Sequence, residues 1–136
     1  MTRKDFQAVS RIRVREATTL ARNGHEQGAY YLSGVAVECA LKACIAKKTK
    51  RHDFPPHRKY VDQVYGHDLE ELVRIAGLKD RLDQETRRNP ALAANWTLVK
   101  SWNVNSRYES TGLNGRDMRS ALSGVDGVIT WIRQHW

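Results

Sequence analysis

Few residues of this 136-residue chain carry the chemistry of a reactive site. Cys39 and Cys44 stand five positions apart on a segment that reads as helix. At that spacing they point to different faces and cannot form a disulfide. Neither thiol has a histidine cluster beside it, so no zinc site forms, and both read as small buried apolar groups. The histidines, His25, His52, His57, His67 and His135, are scattered without metal-ligand spacing. No glycine-rich loop leads from a strand into a helix, and no serine or cysteine has a recognisable base. The expectation is a chain without metal and without cofactor.

Glu38 stands out as an acid in the middle of an apolar segment, Ala29 to Ile45. Lys42 follows four residues later, on the same helical face, as a favourable pair. Across the chain, Arg107 is flanked by Asn103, Ser106 and Tyr108. In one reading Glu38 holds Arg107 in a partly buried ion pair that orients two helices. In the other, Arg107 is kept charged and oriented by Glu38 and faces a phosphate, with Asn103 and Tyr108 adding hydrogen bonds. His67 reads as a helix-start or packing residue, or, next to a phosphate, as an acid or base that titrates near neutrality.

Charge narrows the partners. Lysine and arginine number 23 against 15 acids, a formal net charge of +8, which suits nucleic acid, a nucleotide or an acidic protein. A merely solvated basic surface is the alternative. Arg11, Arg13, Arg15 and Arg22 crowd the first helix, and a second basic stretch runs from 47 to 59. Phe54 and Tyr60 stand in or beside that stretch and could stack on bases.

The elements that must position these residues read as helices throughout. Proline occurs only at 55, 56 and 90, and no long alternation marks a strand. Apolar residues at 40% and charged residues at 28% give a normal globular balance and argue against disorder. The first helix is expected from about Lys4 to Asn23, on a stripe of Phe6, Val9, Ile12, Ala17, Leu20 and Ala21, and it stops at Asn23-Gly24. The second runs from about Glu26 to Lys48. Its middle is apolar almost all round, the mark of a central helix or of one also buried against a second subunit. Ser33, Gly34 and Ala36 leave room there for a close neighbour. A long connection, 49 to 66, precedes a third helix that starts at His67-Asp68 and ends at Gly77. The polar stretch from Lys79 to Asn89 reads as a short helix at most. Pro90, capped by Asn89, opens the fourth helix, which carries Leu92, Trp96, Val99 and Trp102 and frays near Asn105. The last helix is expected from Arg116 to the end, on a stripe of Met118, Ala121, Leu122, Val125, Ile129 and Ile132. Gly124 and Gly127 would mark a close helix crossing in it. Trp96, Trp102 and Trp131 are expected in the core. The sum is one all-α domain over residues 1–136, an antiparallel up-down bundle of about five helices. No apolar run approaches the roughly twenty residues of a membrane span. The charged N-terminus lacks a signal core. The expected location is the cytoplasm.

Three short runs resemble the HEPN family of helical-bundle proteins. Ala17, Leu20, Gly24 and Ala29 lead to Glu38-Cys39-Ala40-Leu41-Lys42-Ala43, similar to the family's Glu-x-Ala-Leu-Lys-Ala, although Glu26 stands where the family has Tyr. His67-Asp68-Leu69-Glu70-Glu71-Leu72 resembles the His-x-Leu-x-x-Leu start of its third helix. Arg107-Tyr108 resembles the Arg-Tyr that closes its fourth, with Glu109 where Pro is common. The resemblance implies an antiparallel bundle, often a homodimer. It also implies a setting beside a minimal nucleotidyltransferase in toxin–antitoxin or defence pairs. Members that are metal-independent ribonucleases place His a few residues after Arg. Here no His follows Arg107 in that range, and the one spacing that fits, Arg51 to His57, falls in the connection after the second helix. The expected function is therefore a binding module for RNA, a nucleotide or a partner protein, with no assigned catalysis. Its site would comprise Glu38, Lys42, His67, Asn103, Arg107 and Tyr108. The alternatives are a ribonuclease using Arg107 with His67, and a purely structural subunit of a nucleotidyltransferase complex.

Overall fold

Thr2 and Asp5 start the first helix by a reciprocal cap: the Asp5 N–H donates to Thr2 Oγ1 at 3.2 Å and the Thr2 N–H to Asp5 Oδ2 at 2.7 Å. The computed structural model describes residues 1–49 and 64–136. Among these, α1 spans Arg3–Arg22 and α2 Glu26–Lys48, joined by a tight turn in which Gly24 takes a φ of +77°. There follow α3 (Leu69–Ile75), α4 (Lys79–Arg88), α5 (Pro90–Lys100), a 3-10 turn (Val104–Tyr108), α6 (Gly115–Ser120) and α7 (Val128–Arg133). The fold is all-α, with no strand among the described residues, and α1 packs antiparallel on α2. The long connection expected at 49–66 lies mostly outside the described residues.

Small residues let α1 and α2 approach closely. Ser10, Ala17 and Ala21 are the buried positions of α1, and the Ser10 hydroxyl donates to the Ala36 carbonyl at 2.8 Å. The expected α1 stripe is thus shifted. Ile12 is exposed, while the polar but small Ser10 is buried because its hydroxyl finds a backbone acceptor.

α2 is the central element. It packs against α1, α3, the 3-10 turn, α6 and α7 of its own chain. By length and composition it would also suffice to cross a membrane, contrary to the expectation from sequence, and 67% of that window is buried inside the protein. Gly34 is essential to its packing. A Cβ there would stand 2.1 Å from the Trp102 indole, which lies flat against the helix. The core continues through Val37, Leu41, Leu69, Leu72, Met118, Leu122 and Ile132, all essentially without exposure. Trp102 and Trp131 are buried as expected, whereas Trp96 only packs against the core margin.

Two expected helices are broken. The fourth stops at Lys100, and Asn103 then caps a separate 3-10 turn by accepting the Asn105 N–H at 2.8 Å. The last is split into α6 and α7 by a looped-out insertion. The Val128 N–H donates to Ala121 and the Ile129 N–H to Leu122, seven residues back instead of four. Gly124 turns this loop with a φ of +84°, and Val125, placed on the apolar stripe from sequence, is 93% exposed. Asn89 and Asn95 hold the insertion by donating to Asp126 at 2.8 and 2.9 Å. With Lys79–Arg88 also helical, about five expected helices become seven α-helices and a 3-10 turn among the described residues.

Candidate functional site

Asp68 caps α3 by accepting the Glu71 N–H at 3.2 Å, and this places the preceding residue, His67, against the middle of α2. There the His67 Nδ1 meets Glu38 Oε1 at 2.6 Å, and the Lys42 ammonium lies 3.6 Å from Glu38 Oε2. Glu38 and Lys42 are nearly enclosed, each with 11% of its side chain exposed, while the His67 ring is half exposed. The carboxylate is an acceptor, so the Nδ1 position bears hydrogen and donates to it. The Glu38–Lys42 pair expected from sequence is present. The cross-chain partner of Glu38 is His67, which replaces Arg107 in that role.

Arg107 stands apart. The 3-10 turn carries Asn103, Arg107 and Tyr108 together, all of them exposed, and the Arg107 guanidinium lies over the Tyr108 ring at 4.8 Å. No hydrogen bond or ion pair among the described residues links this turn to Glu38, Lys42 or His67. The six expected site residues thus fall into two groups. The break after Lys100 explains it, since a continuous helix would have carried Arg107 on another course.

A different cluster gathers where α2 ends. Lys47 and Lys48 from its last turn meet Gly77 and Leu78 from the α3–α4 junction, Arg81 from α4, and His135 after α7. Together with Cys44 they line a cleft of about 520 Å³. Among the described residues its lining contains no aspartate or glutamate. Gly77 turns with a φ of +73°, and the Lys48 ammonium reaches over it to donate to the Ile75 carbonyl at 3.3 Å. Arg81 Nη1 approaches His135 Nδ1 at 3.5 Å, so Nδ1 is the accepting nitrogen of the ring. The Nε2 of His135 is enclosed and meets no partner among the described residues. Burial first, then the charges of Arg81 and Lys47, hold His135 below the usual histidine range. Cys44 is inert here, because burial pushes its thiol up to about 11. Cys39 is likewise pushed up to about 11, by burial and then by Glu38.

Sequence reasoning missed this cleft as a unit. From sequence, Lys47 and Lys48 belong to the basic stretch from 47 to 59 and His135 to the scattered histidines, while Arg81 lies in the polar stretch from Lys79 to Asn89. The basic run from 50 to 59, with Phe54 and Tyr60 in or beside it, lies outside the described residues.

A second groove, also of about 520 Å³, is lined by Glu26, Gly112, Leu113, Asn114, Arg116 and Asp117. Its polar groups satisfy one another. Glu26 Oε2 accepts the Arg116 N–H at 2.9 Å, and Asn114 donates to Asp117 at 2.8 Å. Its two acids, Glu26 and Asp117, stand beside one base, Arg116, and the groove joins α6 to the start of α2. No group of three or more potential metal ligands occurs among the described residues. No protein-family model, no curated protein and no solved structure matches this chain.

Proposed function

We propose that this chain is a HEPN-like binding module whose ligand carries phosphate, either RNA or a nucleotide. One observation carries the reading: Lys47, Lys48 and Arg81 line a single cleft that, among the described residues, has no carboxylate in its lining. Elsewhere four acids are spent locally: Glu16 pairs with Arg13, Asp83 with Lys79, Glu85 with Arg88, and Glu71 with Arg74. A phosphate chain would supply counterions to the cations of the cleft.

The finer architecture, an up-down bundle of HEPN type, belongs to this reading. So do a homodimer and a nucleotidyltransferase partner in a cytoplasmic toxin–antitoxin or defence pair. These rest on the resemblance alone, since α2 is covered by its own chain and does not demand a second copy. Sedimentation at low micromolar concentration that shows only monomer removes the dimer.

The binding test is titration of single-stranded RNA over a salt series. With three cations engaged, log affinity is expected to fall with log salt at a slope of about −2. Absence of binding at low salt, or binding that ignores salt, overturns the reading.

A second reading, a metal-independent ribonuclease, draws on the 2.6 Å contact of Glu38 with His67. A buried carboxylate on Nδ1 leaves the other ring nitrogen to act as a base. Cleavage of RNA in chelator that both His67→Ala and Arg107→Ala abolish would establish it. Intact RNA with the wild type removes it.

A further inference from the structure

We propose that the cleft between the end of α2, the α3–α4 junction and His135 is a pocket for the terminal phosphate of a single nucleotide, free or at an RNA end. The inference rests on the phosphate-binding reading and narrows it from a charged surface to one open cleft.

The geometry supports a terminal phosphate in three ways. First, the cleft has the volume of a small-ligand site, at about 520 Å³, where a surface that only tracks a backbone needs no cavity. Second, its basic residues come from three parts of the fold: Lys47 and Lys48 from α2, Arg81 from α4, and His135 after α7. A phosphate monoester offers three unesterified oxygens and close to two charges, whereas an internal diester offers two oxygens and one charge. Convergent donors match the former. Third, the Arg81–His135 contact is weak as it stands, at 3.5 Å between a guanidinium and a ring nitrogen. An anion seated between them would accept from both, replacing that contact with two charge-assisted hydrogen bonds. Gly77 contributes by its lack of a side chain, since a Cβ there would meet the Lys48 ammonium at 3.2 Å and crowd its path over the junction.

The test uses the full chain and four probes: adenosine, adenosine monophosphate, and one short RNA bearing either a 5′-phosphate or a 5′-hydroxyl. Amide spectra read the site of binding, and fluorescence anisotropy reads the affinity of the RNAs. Adenosine monophosphate is expected to shift Gly77, Leu78 and His135, and adenosine is not. The 5′-phosphorylated RNA is expected to bind about tenfold more tightly than its hydroxyl twin. Lys47→Gln and Arg81→Gln should each erase that preference. Lys100→Gln, an equal loss of charge at an exposed site outside the cleft, should keep it. Circular dichroism of each variant separates lost binding from lost fold.

Equal binding of the two RNAs, with the monophosphate leaving Gly77 and His135 unmoved, overturns the pocket while leaving a general RNA-binding reading intact. Monophosphate bound in the cleft with neither RNA bound keeps the pocket and removes the RNA half of that reading. No binding of any probe overturns both.

Discussion

On one helix, Glu38 in the middle and Lys47 near the end meet opposite electrostatic circumstances. Glu38 is nearly enclosed and brings its own partners, the Lys42 ammonium from the next turn and the His67 ring N–H from the start of α3. Lys47, about two and a half turns further, shares its cleft with Lys48, Arg81 and His135 and, among the described residues, with no acid. The first arrangement is what a fold needs when it buries a charge, because an unpaired buried carboxylate would be costly. The second lowers stability through repulsion and is tolerated only because it is hydrated or ligated. A self-neutralised cluster therefore reads as architecture, and an unneutralised one as a place for a ligand.

The comparison can be broken first at the helix that both clusters share. Gly34→Ala puts a methyl into the Trp102 indole, which cannot move without opening the core. The expected loss is about 3 kcal/mol in urea unfolding. The disturbance should centre on Trp102 and the 3-10 turn, so adenosine monophosphate should still shift Gly77 in the folded fraction. A variant as stable as the parent would show that the indole does not lie on Gly34.

Glu38→Ala comes next. It leaves Lys42 enclosed without a counterion and frees His67 from its anchor, and the half-exposed His67 recovers part of its energy from water. An expected loss of about 2 kcal/mol follows, below the usual figure for a fully buried pair. A loss too small to measure would make this cluster a solvated one and remove the contrast with the cleft.

How much of this was legible in the sequence follows the same division. Contacts near in sequence were legible. Glu38 with Lys42, the Asn89 and Asp68 caps, the Gly24 and Gly77 stops, and the full extent of α2 all depend on residues within a turn or two of one another. Contacts set by helix breaks were not. The apolar spacing of Met118, Ala121, Leu122, Val125, Ile129 and Ile132 fits a continuous helix, yet Gly124 and Gly127 permit a loop that ejects Val125. The signal was present, two glycines three apart inside a helix, and it marked a bulge where a close crossing was expected. Likewise one reading of the sequence sets Arg107 against Glu38, with the fourth helix running to about Asn105. The stop at Lys100 leaves that carboxylate to His67. The cleft could not be read at all, because its cations come from elements far apart in the chain.

Removing single cleft cations should have a smaller effect on folding than either change above. Lys47→Gln and Arg81→Gln are each expected to alter stability by no more than about 0.5 kcal/mol, with a slight gain at low salt as repulsion is relieved. Urea midpoints at low and high salt check this. A clear loss would mean that these side chains support the fold, and the cleft would cease to differ in kind from the Glu38 cluster.

The smallest expected effect is the dependence on pH, and it separates ligand binding from folding by sign. His135 faces Lys47 and Lys48 from α2, Arg81 from α4 and the Trp131 ring from α7, with Cys44 beside them. Burial and then the charges of Arg81 and Lys47 hold it below the ordinary histidine value of 6.5. The unfolded chain therefore takes up a proton at higher pH than the folded one. Its share of stability is present above about 6.5 and is lost as pH falls through the lower, folded value. Bound anion reverses the preference, since an imidazolium gains a partner that the neutral ring lacks. Sulfate is the suitable probe, because it keeps its two charges across this range and leaves His135 as the titrating group, the neighbouring lysines and arginine remaining charged. Its affinity should rise as pH is lowered from 8 towards 6, while the free protein loses a little stability over the lower part of the same interval. His135→Gln should flatten both trends. Sulfate affinity that is unchanged by pH in the parent protein would place the anion away from His135, and the cleft would then be bounded by Lys47, Lys48 and Arg81 alone.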